Sequence, residues 1–328
     1  MSRSAITRRA RAAAAIALGL LFGLATWASL ARPGWHADYE TLDNAARMLA
    51  AGRLPYGFKS DAFGGAPVLH PPPMLWLLGL ATWLPPAAAG GVVFGLGTAL
   101  LAYLLTARAW WPLYAIASGP YFYAAGIGQL APWAALPVVA PASLGVLAAL
   151  KPSTGLAALA ASPSWRVALR TAALLAAVVA LTFIVHPGWL VPYLRGLGMT
   201  FQHGSPALER PGAALAVLAL FRWRDSGARL LVALVLVPHA LYWYDEVLLL
   251  AALPRSKAEA LALSAFATAG WVAWQATSFA TGEPFLLLAP DFVAASCYVP
   301  ALFVVLRHPL APDGSPWWLA RLRAPRRA

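Results

Sequence analysis

The chain has 328 residues, 61% of them hydrophobic and only 11% charged, against roughly 25% charged in an ordinary soluble domain. That composition, with a mean hydropathy of +0.67, excludes a soluble globular protein and points to helices in hydrocarbon rather than alternating barrel strands. The net charge of +12 reads as loops facing anionic lipid, not as a nucleic-acid footprint, and the single Cys297 excludes a disulfide framework or a cysteine metal cluster.

Arg3, Arg8, Arg9 and Arg11 precede an apolar run from Ala12 to Ala31, about 20 residues and long enough to span a bilayer. It reads as an uncleaved anchor that starts in the cytoplasm. The rival is a signal peptide ending at Ser29-Leu30-Ala31, but the apolar core exceeds the roughly 7–15 residues usual there. Residues 32–88 then form a polar, proline-rich first extracytoplasmic loop. Within it Leu42, Ala45, Ala46 and Leu49 recur at helical spacing, which predicts an amphipathic helix. Met74 to Leu84 is apolar but too short to cross, so an interfacial helix is expected, with Trp76 and Trp83 at headgroup level.

Beyond this loop, breaks and basic residues alternate. Segments are expected at Gly90–Ala107, Trp110–Ala125, Leu130–Val139, Pro141–Leu150, Ser153–Ala161 and Val167–Val185. Further ones follow at Gly212–Phe221, Leu230–Leu241, Glu246–Leu253, Ala258–Phe279 and Phe285–Leu306. Several are shorter than a span and suit half-helices packed inside the protein. Placing Arg108, Arg166, Arg170, Arg222, Arg224, Arg229, Arg255 and Lys257 inside satisfies the positive-inside rule. The expectation is one all-α integral membrane domain over residues 1–328, of about 10–12 membrane segments, in the cell (inner) membrane. Both termini are then cytoplasmic and residues 307–328 form a basic tail, whose Trp317-Trp318 and arginines suit an interfacial anchor.

The same arrangement gathers ionisable and polar groups at the outer face: Asp38, Glu40, Asp43, Asp61, His70, Gln129, Lys151, His186, His203, Glu209, His239, Asp245, Glu246 and Glu283. Ionisable groups at membrane depth mark a function by default. No glycine-rich phosphate loop, paired-histidine zincin helix or nucleophile elbow is present, so nucleotide and serine hydrolysis have no support. No metal ligand set and no cofactor are expected.

Some of these residues lie in ordered runs. Ala37-Asp38-Tyr39, followed by Ala45-Ala46-Arg47-Met48-Leu49-Ala50-Ala51-Gly52-Arg53-Leu54-Pro55-Tyr56, resembles the first outer loop of class C glycosyltransferases. It is most like that of the polyprenyl-phosphate-mannose-dependent group, glycosyltransferase family 87. His70-Pro71-Pro72-Pro73 is similar to the step that opens the interfacial helix of that superfamily. Gly128-Gln129 and Gly145 to Pro152, with Lys151, are similar to its Gly-Gln and Gly…Lys…Pro elements, and Pro238 to Asp245 to its proline-to-tryptophan turn. The chain is short for the family, and Tyr244-Asp245-Glu246 stands where relatives often carry acidic and histidine residues.

The resemblance implies transfer of a hexose, mannose above all, from a polyprenyl-phosphate donor to a lipid or glycan acceptor, with inversion at the sugar carbon. Such transfer needs a carboxylate to take the acceptor's proton and a cation to hold the departing phosphate. Asp38 is the expected base and Lys151 the phosphate partner, with His70, Gln129, Asp245 and Glu246 as donor or substrate contacts. Each has a structural alternative: a helix N-cap for Asp38, a snorkelling helix-end lysine for Lys151, a loop residue for His70, backbone satisfaction for Gln129, and solvated tip residues for Asp245 and Glu246. At the level of the whole chain, a transporter or lipid flippase, or an inactive assembly partner, would share the broken helices.

Overall fold

In the computed structural model, which describes residues 7–32, 38–56, 59–60, 66–68, 70–107, 109–162, 164–200, 207–237, 243–281 and 285–308, the backbone is almost wholly helical. Four helices are long and apolar enough to cross a membrane: Arg8–Leu30, Pro86–Leu105, Trp165–Val185 and the composite Leu288–Arg307. Lys257–Thr281 is longer still, at 25 residues, but is not among these four; the other helices are shorter, and a two-residue antiparallel ribbon, β1 (Lys59–Ser60) and β2 (Ala66–Pro67), pairs Lys59 with Pro67. The described fold is all-α, with four candidate membrane-spanning helices and many short, broken ones, as an α-helical membrane protein would have.

Helix α1 (Arg8–Leu30) starts earlier than the apolar run because the Thr7 hydroxyl accepts the Ala10 N–H at 3.1 Å and caps it. Its partner in sequence order of long helices is the antiparallel Pro86–Leu105, and glycines let the two backbones touch. A Cβ on Gly91 would lie 2.7 Å from the Gly23 carbonyl oxygen, and one on Gly95 2.7 Å from that of Gly19. Close small-residue contact of this kind replaces the hydrophobic drive that lipid removes.

Helix α2 (Asp38–Ala50) buries Leu42, Ala45, Ala46 and Leu49, the stripe expected of it, against α3 (Pro72–Gly79). Buried Asp43 pairs with Arg47 at 2.6 Å, and Arg47 also donates to the carbonyls of Thr82 and Leu84. Those carbonyls turn to the guanidinium, and prolines 85 and 86 have no N–H to continue a helix. The interfacial helix therefore ends at Gly79, short of the expected Leu84.

After α4 (Pro86–Leu105) the chain shortens its stride. The expected segment Trp110–Ala125 splits into a 3-10 turn, Trp111–Ala115, and α5 (Gly119–Ile127), parted at Ser118-Gly119-Pro120. Then come α6 (Ala131–Val139), α7 (Pro141–Leu144), a 3-10 turn Gly145–Leu150 and α8 (Pro152–Ala160). Proline at the second or first position of each helix explains the restarts. These are the half-length pieces that the sequence predicts.

Helix α9 (Trp165–Val185) is a long span that buries only Thr171 and Thr182, and α10 (Leu190–Thr200) follows it. The 3-10 turn Ala207–Glu209, α11 (Pro211–Ala214) and a 3-10 stretch to Arg222 lead into α12 (Ser226–Leu236). Asp225 caps α12, accepting from the Gly227 N–H at 2.7 Å, and is ion-paired with Arg255. Next along the chain are α13 (Val247–Ala252), α14 (Lys257–Thr281), α15 (Phe285–Val293) and α16 (Val299–Arg307). The segment expected at Phe285–Leu306 is interrupted by a π turn, Ala294–Tyr298, between Pro290 and Pro300.

One arginine organises the end of α8 that lies away from Lys151. Arg229 of α12 donates to the carbonyls of Ala160 and Ser162 past the end of α8 at 2.7 and 2.8 Å, and to those of Trp223 and Arg224. Four carbonyls that helix ends leave open are thus met by a single guanidinium.

Candidate functional site

Three helix breaks converge at one end of the molecule. Helix α5 ends in a left-handed glycine, Gly128, with φ of 70°, and the Gln129 N–H then bonds back to the Ala124 carbonyl at 2.9 Å. Any side chain at 128 would meet Tyr39: a Cβ there would lie 2.6 Å from the Tyr39 Cβ. Glycine is therefore required both by the turn and by the seat of α2. The reversal delivers the Gln129 amide to the carboxylate of Asp38, where Nε2 donates to Oδ2.

Packing around Asp38 strips water from its carboxyl and pushes its pKa up to about 6, against the opposing effects of the Gln129 hydrogen bond and the Lys151 charge. A carboxyl of this kind is mostly ionised at pH 7 yet more basic than an ordinary one, which suits it to accept a proton near neutrality. Burial likewise pushes the His70 imidazole down to about 3, with the Lys151 charge adding to it. His70 is thus neutral at pH 7, and its backbone carbonyl accepts the Tyr56 hydroxyl at 3.1 Å.

Lys151 stands in extended backbone between the 3-10 turn and α8. Its Nζ donates to both carboxylate oxygens of Asp245, at 2.6 and 2.7 Å, and lies 4.6 Å from the centre of the Tyr244 ring. Tyr244 is stacked against Tyr123, centroids 6.5 Å apart. Asp245 belongs to a turn whose Trp243 has φ of 67°, a conformation that is an outlier for a bulky residue. Met74, Gln129, Trp133, Lys151, Tyr244 and Asp245 line a narrow cleft.

Of the residues expected at the site, Gln129, Lys151 and Asp245 line this cleft, Asp38 stands behind Gln129, and both Asp38 and His70 are close enough to feel the Lys151 charge. Glu246 turns the other way: it is 1% exposed, and its Oε1 accepts from the Tyr298 hydroxyl of the π turn at 3.3 Å. His186 accepts from the Trp76 indole at 3.4 Å. Asp61, His203, His239, Glu283 and the tail tryptophans lie outside the described residues, as do residues 238–242 of the tip. Among the described residues no group of three histidine, cysteine or acidic side chains is placed to hold a metal ion. Tyr244 and Trp133 are the site residues that motif reading passes over. Neither carries a local signal in the sequence, since the Tyr244 cation–π contact depends on Lys151 arriving from far earlier in the chain.

Comparison with protein-family models, with curated proteins and with solved structures finds no match for this chain.

Proposed function

We propose that the chain is an integral-membrane glycosyltransferase that moves a hexose, mannose above all, from a polyprenyl phosphate to a lipid or glycan acceptor. The observation that carries this reading is a carboxylate with a pKa near 6, Asp38, hydrogen-bonded to Gln129, which lines the same cleft as the Lys151 ammonium. In the proposed step the acceptor hydroxyl gives its proton to Asp38, and its oxygen forms the new bond to the anomeric carbon. The bond from that carbon to the phosphate oxygen breaks on the opposite face, with inversion, and the electron pair leaves on polyprenyl phosphate. Lys151 offsets the charge that develops there, and Gln129 holds the Asp38 carboxylate in place. An isoprenyl tail reaches such a cleft from the bilayer through the gaps between short helices.

The proposal includes the class C architecture, about 10–12 membrane segments when half-helices are counted, a site on the extracytoplasmic side of the cell membrane and cytoplasmic termini. No metal and no cofactor take part in it. The test is an assay of membranes containing the full-length chain with radiolabelled polyprenyl-phosphate-mannose. Label should pass to an endogenous lipid or glycan. Label that crosses the membrane still attached to its lipid would instead identify a flippase.

A further inference from the structure

Lys151 is the only cation among the described residues that line the cleft, and Asp245 takes two of its three protons. Asp245 is itself 1% exposed, while a fifth of the lysine side chain remains open to the cleft. Charge-assisted, bidentate contact makes this the strongest interaction the ammonium has. A phosphate arriving at Lys151 therefore meets a seat that is already taken by an anion of the chain itself.

We propose that Asp245 is a built-in competitor for the donor phosphate at Lys151, a specificity-determining residue that the phosphate displaces instead of a ligand that it joins. The inference rests on the reading of Lys151 as phosphate partner. Three observations support displacement. Phosphate and carboxylate, both anionic, repel at hydrogen-bond distance from a shared ammonium, so they exclude one another. The turn that carries Asp245 is held in an unfavourable conformation at Trp243, whose φ is 67° and whose buried indole N–H has no hydrogen-bond partner among the described residues. The turn is also held by the Tyr244 stack on Tyr123 and the Tyr298 hydroxyl on Glu246, so opening the pair frees the Asp245 carboxylate within a turn that is already strained at Trp243. Lastly, the Tyr244 ring under the ammonium leaves the lysine a favourable contact while it exchanges one anion for another.

Competition sets a threshold on what binds. A weak or singly hydrogen-bonded anion fails to replace a bidentate carboxylate, whereas a phosphate with two free oxygens reproduces both contacts. The cleft would thus stay shut to chloride and open to phosphate esters.

The probe is a short-chain isoprenyl monophosphate, titrated against purified full-length protein and followed by tryptophan fluorescence. Asp245→Asn should bind it about tenfold more tightly or better, because a charge-assisted contact no longer has to be broken. Lys151→Met should bind poorly, and so should the double variant Lys151→Met/Asp245→Asn, in which neither charge is left unpaired. If Asp245→Asn weakens binding as Lys151→Met does, the competitor proposal is overturned while Lys151 keeps its phosphate role. If Lys151→Met binds like wild type, that role falls and the proposal with it. Hydrogen exchange on the wild-type protein needs no variant: saturation with the probe should speed exchange at residues 243–246. Unchanged or slower exchange there overturns displacement.

Discussion

Gln129 donates its side-chain amide to the carboxylate of Asp38, joining positions 91 residues apart in the chain. The contact depends on the Gly128 reversal and makes α2 and the core helices parts of one site. Because the amide favours the ionised carboxylate, it works against the loss of water that raises the Asp38 pKa.

That opposition gives a pH signature. With Asp38 as base, kcat/KM for transfer should rise with pH, bending at about 6, since only the carboxylate accepts a proton. Gln129→Leu removes the contribution that lowers the pKa, so its bend should move to higher pH. A profile that does not shift in Gln129→Leu would remove Asp38 from the limb.

The same carboxylate can be tested directly. Asp38→Asn keeps the shape and can still begin a helix, so yield and thermal midpoint should change little, while transfer should fall about 10²–10⁴-fold. Retention of more than about a tenth of the wild-type rate, well above what a lost base leaves, would return Asp38 to a capping role.

Lys151→Ala should chiefly raise the KM for the polyprenyl-phosphate donor, and Lys151→Arg should keep part of the activity, since charge survives but compact geometry does not. Steady-state kinetics with varied donor decides this. Equal kinetics in the alanine variant would leave the lysine with Asp245 alone.

Gly128→Ala should lower stability by about 1–3 kcal/mol, because alanine is strained in the left-handed region and its methyl would also strike Tyr39. Gly52, with φ of 74° and open space around it, supplies the control. Gly52→Ala carries the backbone cost alone and should lower the thermal midpoint less.

Membrane orientation is checked with single cysteines in a Cys297→Ala background. Exposed Ala51, in the first loop, and exposed Arg224, before α12, should react with an impermeant thiol reagent from opposite sides of sealed vesicles. Labelling from one side only would disperse the proposed site.

Periodicity and proline made much of this fold legible. The stripe Leu42, Ala45, Ala46 and Leu49 is the buried face of α2, and the short run Leu130–Val139 is the half-length α6. The early stop at Gly79 was not legible, because it depends on Arg47, which reaches the Thr82 carbonyl across 35 positions. Likewise Asp43 looks in sequence like a free outer carboxylate, yet Arg47 holds it. At the site, residue types identified Asp38 and Lys151 as chemistry-bearing, but nothing local in the chain reveals that Lys151 grips Asp245 across 94 positions. Adjacent tip residues also part company: Asp245 faces the cleft and Glu246 faces Tyr298, a divergence set by the turn at Trp243 and by the packing of the π turn.

The four carbonyls gathered by Arg229 bear on how the cleft can open. Helix α8 is anchored at its far end by that guanidinium, through Ala160 and Ser162, and Lys151 stands directly before its first turn. Shifting the lysine backbone would mean dragging a nine-residue rod and breaking the contacts at its far end. The turn bearing Asp245 has no such anchor in Arg229. When the pair parts, the carboxylate is the member that travels, and the ammonium is the fixed post against which an incoming anion is measured.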